Sequence, residues 1–103
     1  VGYIIHLENG LRILHAGDTA LYGDMKLFGE RYKPDVAMLP IGDHFTMGPE
    51  DAAEAAKLWG VKTVIPMHYG TFPVLTGTVE AFQKTLSPQI TLKAPAPGDT
   101  VEF

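Results

Sequence analysis

Four side chains capable of metal or proton chemistry stand just past apolar runs of the chain. Asp18 follows Leu11–Leu14, Asp43 and His44 follow Val36–Leu39, and His68 follows Thr63–Ile65. Glycines accompany them at Gly17, Gly42 and Gly70, where a missing Cβ lets the backbone turn sharply and approach a ligand. Neutral imidazole combined with carboxylate suits zinc, iron or manganese. A catalytic zinc usually takes three protein ligands and a water. Asp18 and His68 supply two donors and His44 is a candidate third, so the chain reads as carrying part of a site.

Other chemistries find fewer parts. The only serine, Ser87, sits in a Ser-Pro helix stop and has no histidine near it in sequence, which argues against a serine nucleophile. There is no cysteine, which excludes disulfides, thiolate catalysis and cysteine-bound zinc. Neither a P-loop nor a GxGxxG fingerprint is present. Asp18 and Asp43 could form a pair of catalytic carboxylates, but sequence gives no distance between them.

The elements that must position these residues follow from hydrophobic periodicity. Tyr3–Leu7 and Leu11–Leu14 flank Asn9-Gly10, a hairpin signal because Asn and Gly tolerate positive φ. Leu21, Met25, Phe28 and Tyr32 share one helical face, and Gly29 and Lys33-Pro34 mark where that helix weakens and ends. Val36–Leu39 and Thr63–Ile65 read as strands buried on both faces. Between them, Pro49 opens a helix with Glu50 and Asp51 at its positive end. Ala52, Ala55, Ala56 and Trp59 form its buried stripe, and Gly60 stops it. Val79, Phe82 and Leu86 mark a third helix, and Ile90–Leu92 and Thr100–Phe103 read as closing strands. The order is ββαβαβαββ, an α/β layered architecture. In such sheets the loops beyond the carboxyl ends of the strands converge on one edge, where ligands bind, and all four candidate residues fall in those loops.

Composition narrows the function further. At 103 residues the chain is one small domain, and 46% apolar against 19% charged residues is a globular balance. Eight Lys+Arg face twelve Asp+Glu, giving a net charge of −4, which argues against a phosphate-gripping nucleic-acid binder. No apolar run reaches the ~18–20 residues of a membrane span, and no signal segment is recognisable, so the expected location is cytoplasmic. The chain opens without an initiator Met on strand-like Val1–Ile5, which reads as a piece of something longer.

Three segments resemble a known family. His15-Ala16-Gly17-Asp18-Thr19 is similar to the HAGDT segment of the metallo-β-lactamase superfamily. Ile65-Pro66-Met67-His68-Tyr69-Gly70-Thr71-Phe72 resembles the strand end that carries the superfamily's last metal-binding histidine. Leu39–Pro49 resembles a loop typical of the metal-dependent hydrolases grouped as UPF0173. The HxHxDH motif of that family and its further histidine are missing. The resemblance therefore implies that residues 1–103 are the C-terminal half of a metallo-β-lactamase-like hydrolase domain, the second half of its αββα sandwich. Such a chain would be a fragment, a cleavage product or one of two separately encoded halves.

The resemblance also implies the chemistry. A complete site would hold two divalent metal ions, zinc foremost with manganese, iron or nickel as alternatives. Asp18 would bridge them and His68 would bind the second. Metal-activated hydroxide would attack an ester, lactone, amide or phosphodiester of a small-molecule substrate. The partner would be a complementary chain or N-terminal half bearing HxHxDH, giving a hetero-oligomer in the separately encoded case. Some relatives process RNA, so a nuclease is a third, weaker reading that the acidic composition of this chain argues against, and no membrane partner is expected. The competing expectation is a non-catalytic half-domain that structurally completes or regulates a partner chain.

Each residue also has a plainer reading. An Asp after Gly is ordinarily a turn former, and a His ending an apolar strand is ordinarily a hydrogen-bonded, half-buried one; the motif context reverses both. His44 is a catalytic candidate through its loop position alone, while Asp43 is equally suited to holding that loop through backbone bonds. His15 is assigned to packing or to supporting a ligand, and His6 to structure. Tyr69 and Phe72 read as core more readily than as pocket wall, and Trp59 as core.

Overall fold

The computed structural model describes residues 2–42, 46–69, 78–96 and 98–102. Strands β1 (Tyr3–His6) and β2 (Arg12–His15) pair antiparallel with Tyr3 opposite His15 and Ile5 opposite Ile13. Their connection is a three-residue loop rather than a two-residue Asn-Gly turn. The Leu7 N–H donates to the Leu11 carbonyl at 2.9 Å and the Gly10 N–H to the Leu7 carbonyl at 3.0 Å. Gly10 alone in this loop takes a positive φ, 89°, so Asn9 serves differently from the expectation. Its side-chain oxygen accepts from the Leu11 N–H at 3.0 Å, an Asx-type brace for the turn.

From β2 onward the sheet is parallel. Helix α1 (Asp24–Tyr32) leads to β3 (Val36–Pro40), α2 (Pro49–Trp59) to β4 (Thr63–Met67), and α3 (Val79–Thr85) to β5 (Thr91–Leu92). The strands lie in the order β1-β2-β3-β4-β5. Each crossover joins neighbouring strands, and right-handed crossovers in one direction place their helices on the same side of the sheet. Helix α2 begins at Pro49 and is ended by Gly60, whose left-handed conformation (φ 71°) lets its N–H reach the Ala56 and Lys57 carbonyls. The Thr78 side chain caps α3 by accepting from the Ala81 N–H at 3.1 Å. The expected final strand does not form: Thr100–Glu102 lies outside the ladder, and Phe103 falls outside the described residues. The observed order is therefore ββαβαβαβ, with the two-residue β5 at the edge.

The core lies between the helices and one sheet face. Leu14, Ala37, Leu39 and Val64 project from the sheet onto Met25, Ala52, Ala55, Ala56, Trp59 and Phe82. Full burial of Phe82, 0% exposed, is worth about 1.5–3 kcal/mol. Gly29 is a helix-interior packing site rather than a weak point. A Cβ there would stand 2.6 Å from the Trp59 carbonyl oxygen, so its absence lets α1 and α2 touch backbone to backbone. The helix ends where expected, at Lys33, which adopts φ 47° and donates its N–H to the Gly29 carbonyl.

Among the described residues no helix covers the opposite sheet face, although Val36 and Pro40 on it are buried. The strand period places Tyr3, Ile5, Ile13, His15, Met38, Ile65 and Met67 on it. Tyr3 is 67% and Ile5 48% exposed, and Ile13, Met38, Ile65 and Met67 are half-buried. Central strand β3 is buried along nearly its whole length, but β4 alternates between half-buried and buried. The expectation that β4 is buried on both faces is corrected accordingly: helices cover one side of it only. Among the described residues no helix is long and apolar enough to cross a membrane.

Candidate metal centre

The carboxyl ends of β2, β3 and β4 form one edge of the sheet. Backbone hydrogen bonds carry the pairing just past the strands: Ala16 N–H to the Met38 carbonyl at 3.1 Å, and Ile41 N–H to the Met67 carbonyl at 3.0 Å. The loops beyond are tied together by the Met47 N–H, which donates to the Thr19 carbonyl at 3.0 Å. Asp18 and His68 emerge from this braced edge.

The chain leaves β2 through Gly17, whose φ of 71° turns it out of the sheet. Asp18 follows with a side chain 72% exposed, and the His68 side chain is 27% exposed. Asp18 Oδ1 lies 3.8 Å from His68 Nε2. That separation is too long for a hydrogen bond. It fits two donors of one cation: ligand atoms each about 2.0–2.2 Å from a zinc ion stand no more than about 4.4 Å apart.

His68 carries two marks of a functional position. Its φ is +56°, the left-handed region in which a residue with a Cβ is strained by about 1–2 kcal/mol. Such strain persists where the surroundings over-determine the conformation, and it clusters at functional sites. Its Nδ1 is also buried with no hydrogen-bond partner among the described residues, whereas buried polar atoms are ordinarily satisfied. A ligating histidine generally donates its second ring N–H to a supporting acceptor, and that position at Nδ1 is open to a group from outside the described residues.

Among the described residues no group of three or more His, Asp or Glu side chains converges as a metal cluster. The donors present fit a cation, and they are two where a catalytic zinc takes three. Asp43 and His44 lie outside the described residues, as do Gly70 and Phe72. Tyr69 packs against the core, in line with its plainer reading, and Trp59 is 5% exposed within it. His6 sits on β1, away from this edge, and lines a groove between the hairpin and α1 together with Ile4, Leu14, Tyr22, Met25 and Phe28. That groove lies on the helical side, and His6 is the single imidazole among its lining residues. The chemistry is better argued at the strand-end edge, where imidazole and carboxylate meet.

Sequence reasoning missed two features here. The left-handed backbone of His68 has only a weak signal in residue type: histidine is enriched among the few non-glycine residues at positive φ, but such residues are a few per cent of all. The second is a hydrogen bond from the Gly17 N–H to His15 Nδ1 at 3.3 Å, which only the i, i+2 spacing of His15 and Gly17 could have suggested.

Comparison with known proteins places this geometry in context. A model of the β-lactamase superfamily domain matches residues 1–68. A UPF0173 metal-dependent hydrolase of Cupriavidus metallidurans is 54% identical over 106 aligned residues, covering 100% of this chain and 36% of the relative. The chain spans about a third of the length of the curated relatives it matches. Among solved structures, Igni18, a metallo hydrolase from Ignicoccus hospitalis, superposes with a TM-score of 0.83 at 43% identity, covering 94% of this chain and 44% of that one. YhfI of Bacillus subtilis, a metallo-β-lactamase fold protein, shares the fold at a TM-score of 0.70 and 14% identity, covering 98% of this chain and 49% of its own.

Proposed function

The chain belongs to the β-lactamase superfamily, and from that premise we propose that it is the C-terminal half of a metal-dependent hydrolase domain, supplying Asp18 and His68 to a dinuclear metal centre. The observation that carries this reading is the 3.8 Å approach of Asp18 Oδ1 to His68 Nε2 at the sheet edge where α/β folds bind ligands. The relatives named metal-dependent hydrolases support it at the level of reaction class.

Divalent cations bound at such a centre would supply Lewis acidity and lower the pKa of a bound water toward ~7. The chain's own residues do the rest. The Asp18 carboxylate, 72% exposed, would be the ligand shared by the two cations. His68 follows β4 and would bind through its imidazole, its direction set by a constrained backbone. His44, outside the described residues, is kept as a catalytic candidate on its sequence position alone. Esters, lactones, amides and phosphodiesters of small molecules are the substrate classes, and the remaining donors come from a complementary half bearing HxHxDH. Zinc is the first metal to test.

Elemental analysis of the protein assembled with that half decides the matter. Two bound metals per site, lost on replacing Asp18, support the hydrolase. A stable assembly that binds none identifies the chain as a structural or regulatory half-domain.

A further inference from the structure

His15 closes β2 on the sheet face that the helices leave uncovered, beside its register partners Tyr3 and Met38. The ladder ends one residue later, where the Ala16 N–H donates to the Met38 carbonyl. Gly17 carries the first amide past the ladder, at the turn with φ 71°. That amide is taken back by the preceding strand: it donates to His15 Nδ1 at 3.3 Å in a half-buried setting. Among the described residues no hydrogen bond holds the Asp18 carboxylate, which is 72% exposed. Its place is therefore decided by the backbone turn beneath it.

We propose that His15 is a positioning residue for Asp18: its ring clamps the Gly17 amide and so fixes where the carboxylate stands relative to His68. The inference rests on the assignment of Asp18 and His68 as metal ligands. An imidazole that accepts at Nδ1 carries its hydrogen on Nε2, so the same ring presents a donor to whatever layer covers this face. A glycine turn is permissive by nature, and without the clamp its amide would lose its partner and the carboxylate its fixed origin. Supporting bonds behind ligands typically account for 10–100-fold in metal affinity.

Two substitutions separate the clamp from packing. His15→Asn places an acceptor oxygen close to the position of Nδ1, and His15→Leu keeps bulk but accepts nothing. In the assembled protein, zinc affinity should fall about tenfold or more for His15→Leu and stay near the wild-type value for His15→Asn, with little change in melting temperature for either. Wild-type affinity in His15→Leu, or an equal fall in both variants, overturns the proposal. Amide hydrogen exchange at Gly17 gives a reading without metal: protection should be present in the wild type and His15→Asn and lost in His15→Leu. Unchanged protection in His15→Leu overturns the clamp whatever the metal does. A wild-type protein that shows the clamp but binds no zinc overturns the metal-centre assignment instead.

Discussion

Asp18 Oδ1 and His68 Nε2 stand 3.8 Å apart, yet one side chain is 72% exposed and the other 27%. The two donors are brought together by parallel pairing through β3, which lies between their strands in the sheet. Their unequal burial separates the effects of removing them. Asp18 contributes almost nothing to packing, whereas His68 is built into the strand end.

Asp18→Ala should therefore leave the fold intact and abolish metal binding in the assembled protein, because a bridging carboxylate serves two ions. Circular dichroism and elemental analysis read the two halves of this expectation. Retention of full metal stoichiometry would show that Asp18 is only a turn residue.

His68→Ala should lose the second metal preferentially and lower turnover by orders of magnitude, a much larger loss than His15→Ala produces. The left-handed backbone adds a sharper comparison. At φ +56° glycine is unstrained while alanine is not, so His68→Gly should be more stable than His68→Ala by about 1 kcal/mol, with both equally poor in metal. Urea denaturation checks the order. Equal or reversed stabilities would mean that this position is not held in the left-handed region.

Gly29→Ala should destabilise the chain by about 1–3 kcal/mol, because the added Cβ would meet the Trp59 carbonyl oxygen at 2.6 Å and the Trp59 Cα at 2.7 Å. Backbone atoms cannot swing aside as a flexible side chain would. Gly23→Ala is the control: a Cβ there meets nothing within 4 Å, and its φ is −64°. A difference in denaturation midpoint between the two variants is the expected result, and matched midpoints would show that α1 and α2 have room to separate.

The legible parts of this fold were those governed by local physics. Pro49 and Gly60 bound α2 because one lacks an N–H and the other a Cβ, and the apolar runs located β3 and β4. Gly29 was read as a weak point because sequence cannot show that another helix presses on it. Asn9-Gly10 signalled a hairpin correctly, but loop length depends on register, which the pairing of Leu7 with Leu11 sets. Motif context singled out Asp18 and His68 as candidates. Their separation, the strain at His68 and the clamp from His15 are products of tertiary placement and leave no pattern in the chain.

The sheet face that no described helix covers leads to the final prediction. Tyr3, Ile5, Ile13, Met38, Ile65 and Met67 line one side of the sheet, and the helices all pack on the other. Solvent-exposed apolar patches beyond a few hundred Å² are abnormal for soluble monomers. A second layer from the complementary half would cover this face, with an interface of obligate size, roughly 2,000 Å² or more. The isolated chain should aggregate or fold poorly, and bind metal weakly with two or three donors. Ile5→Glu should weaken assembly with the complementary half, since Ile5 is 48% exposed and lies outside the helix-facing core. Sedimentation of the separated chain is the deciding measurement: a stable, well-folded, soluble monomer would sink the idea that this sheet is half of a sandwich.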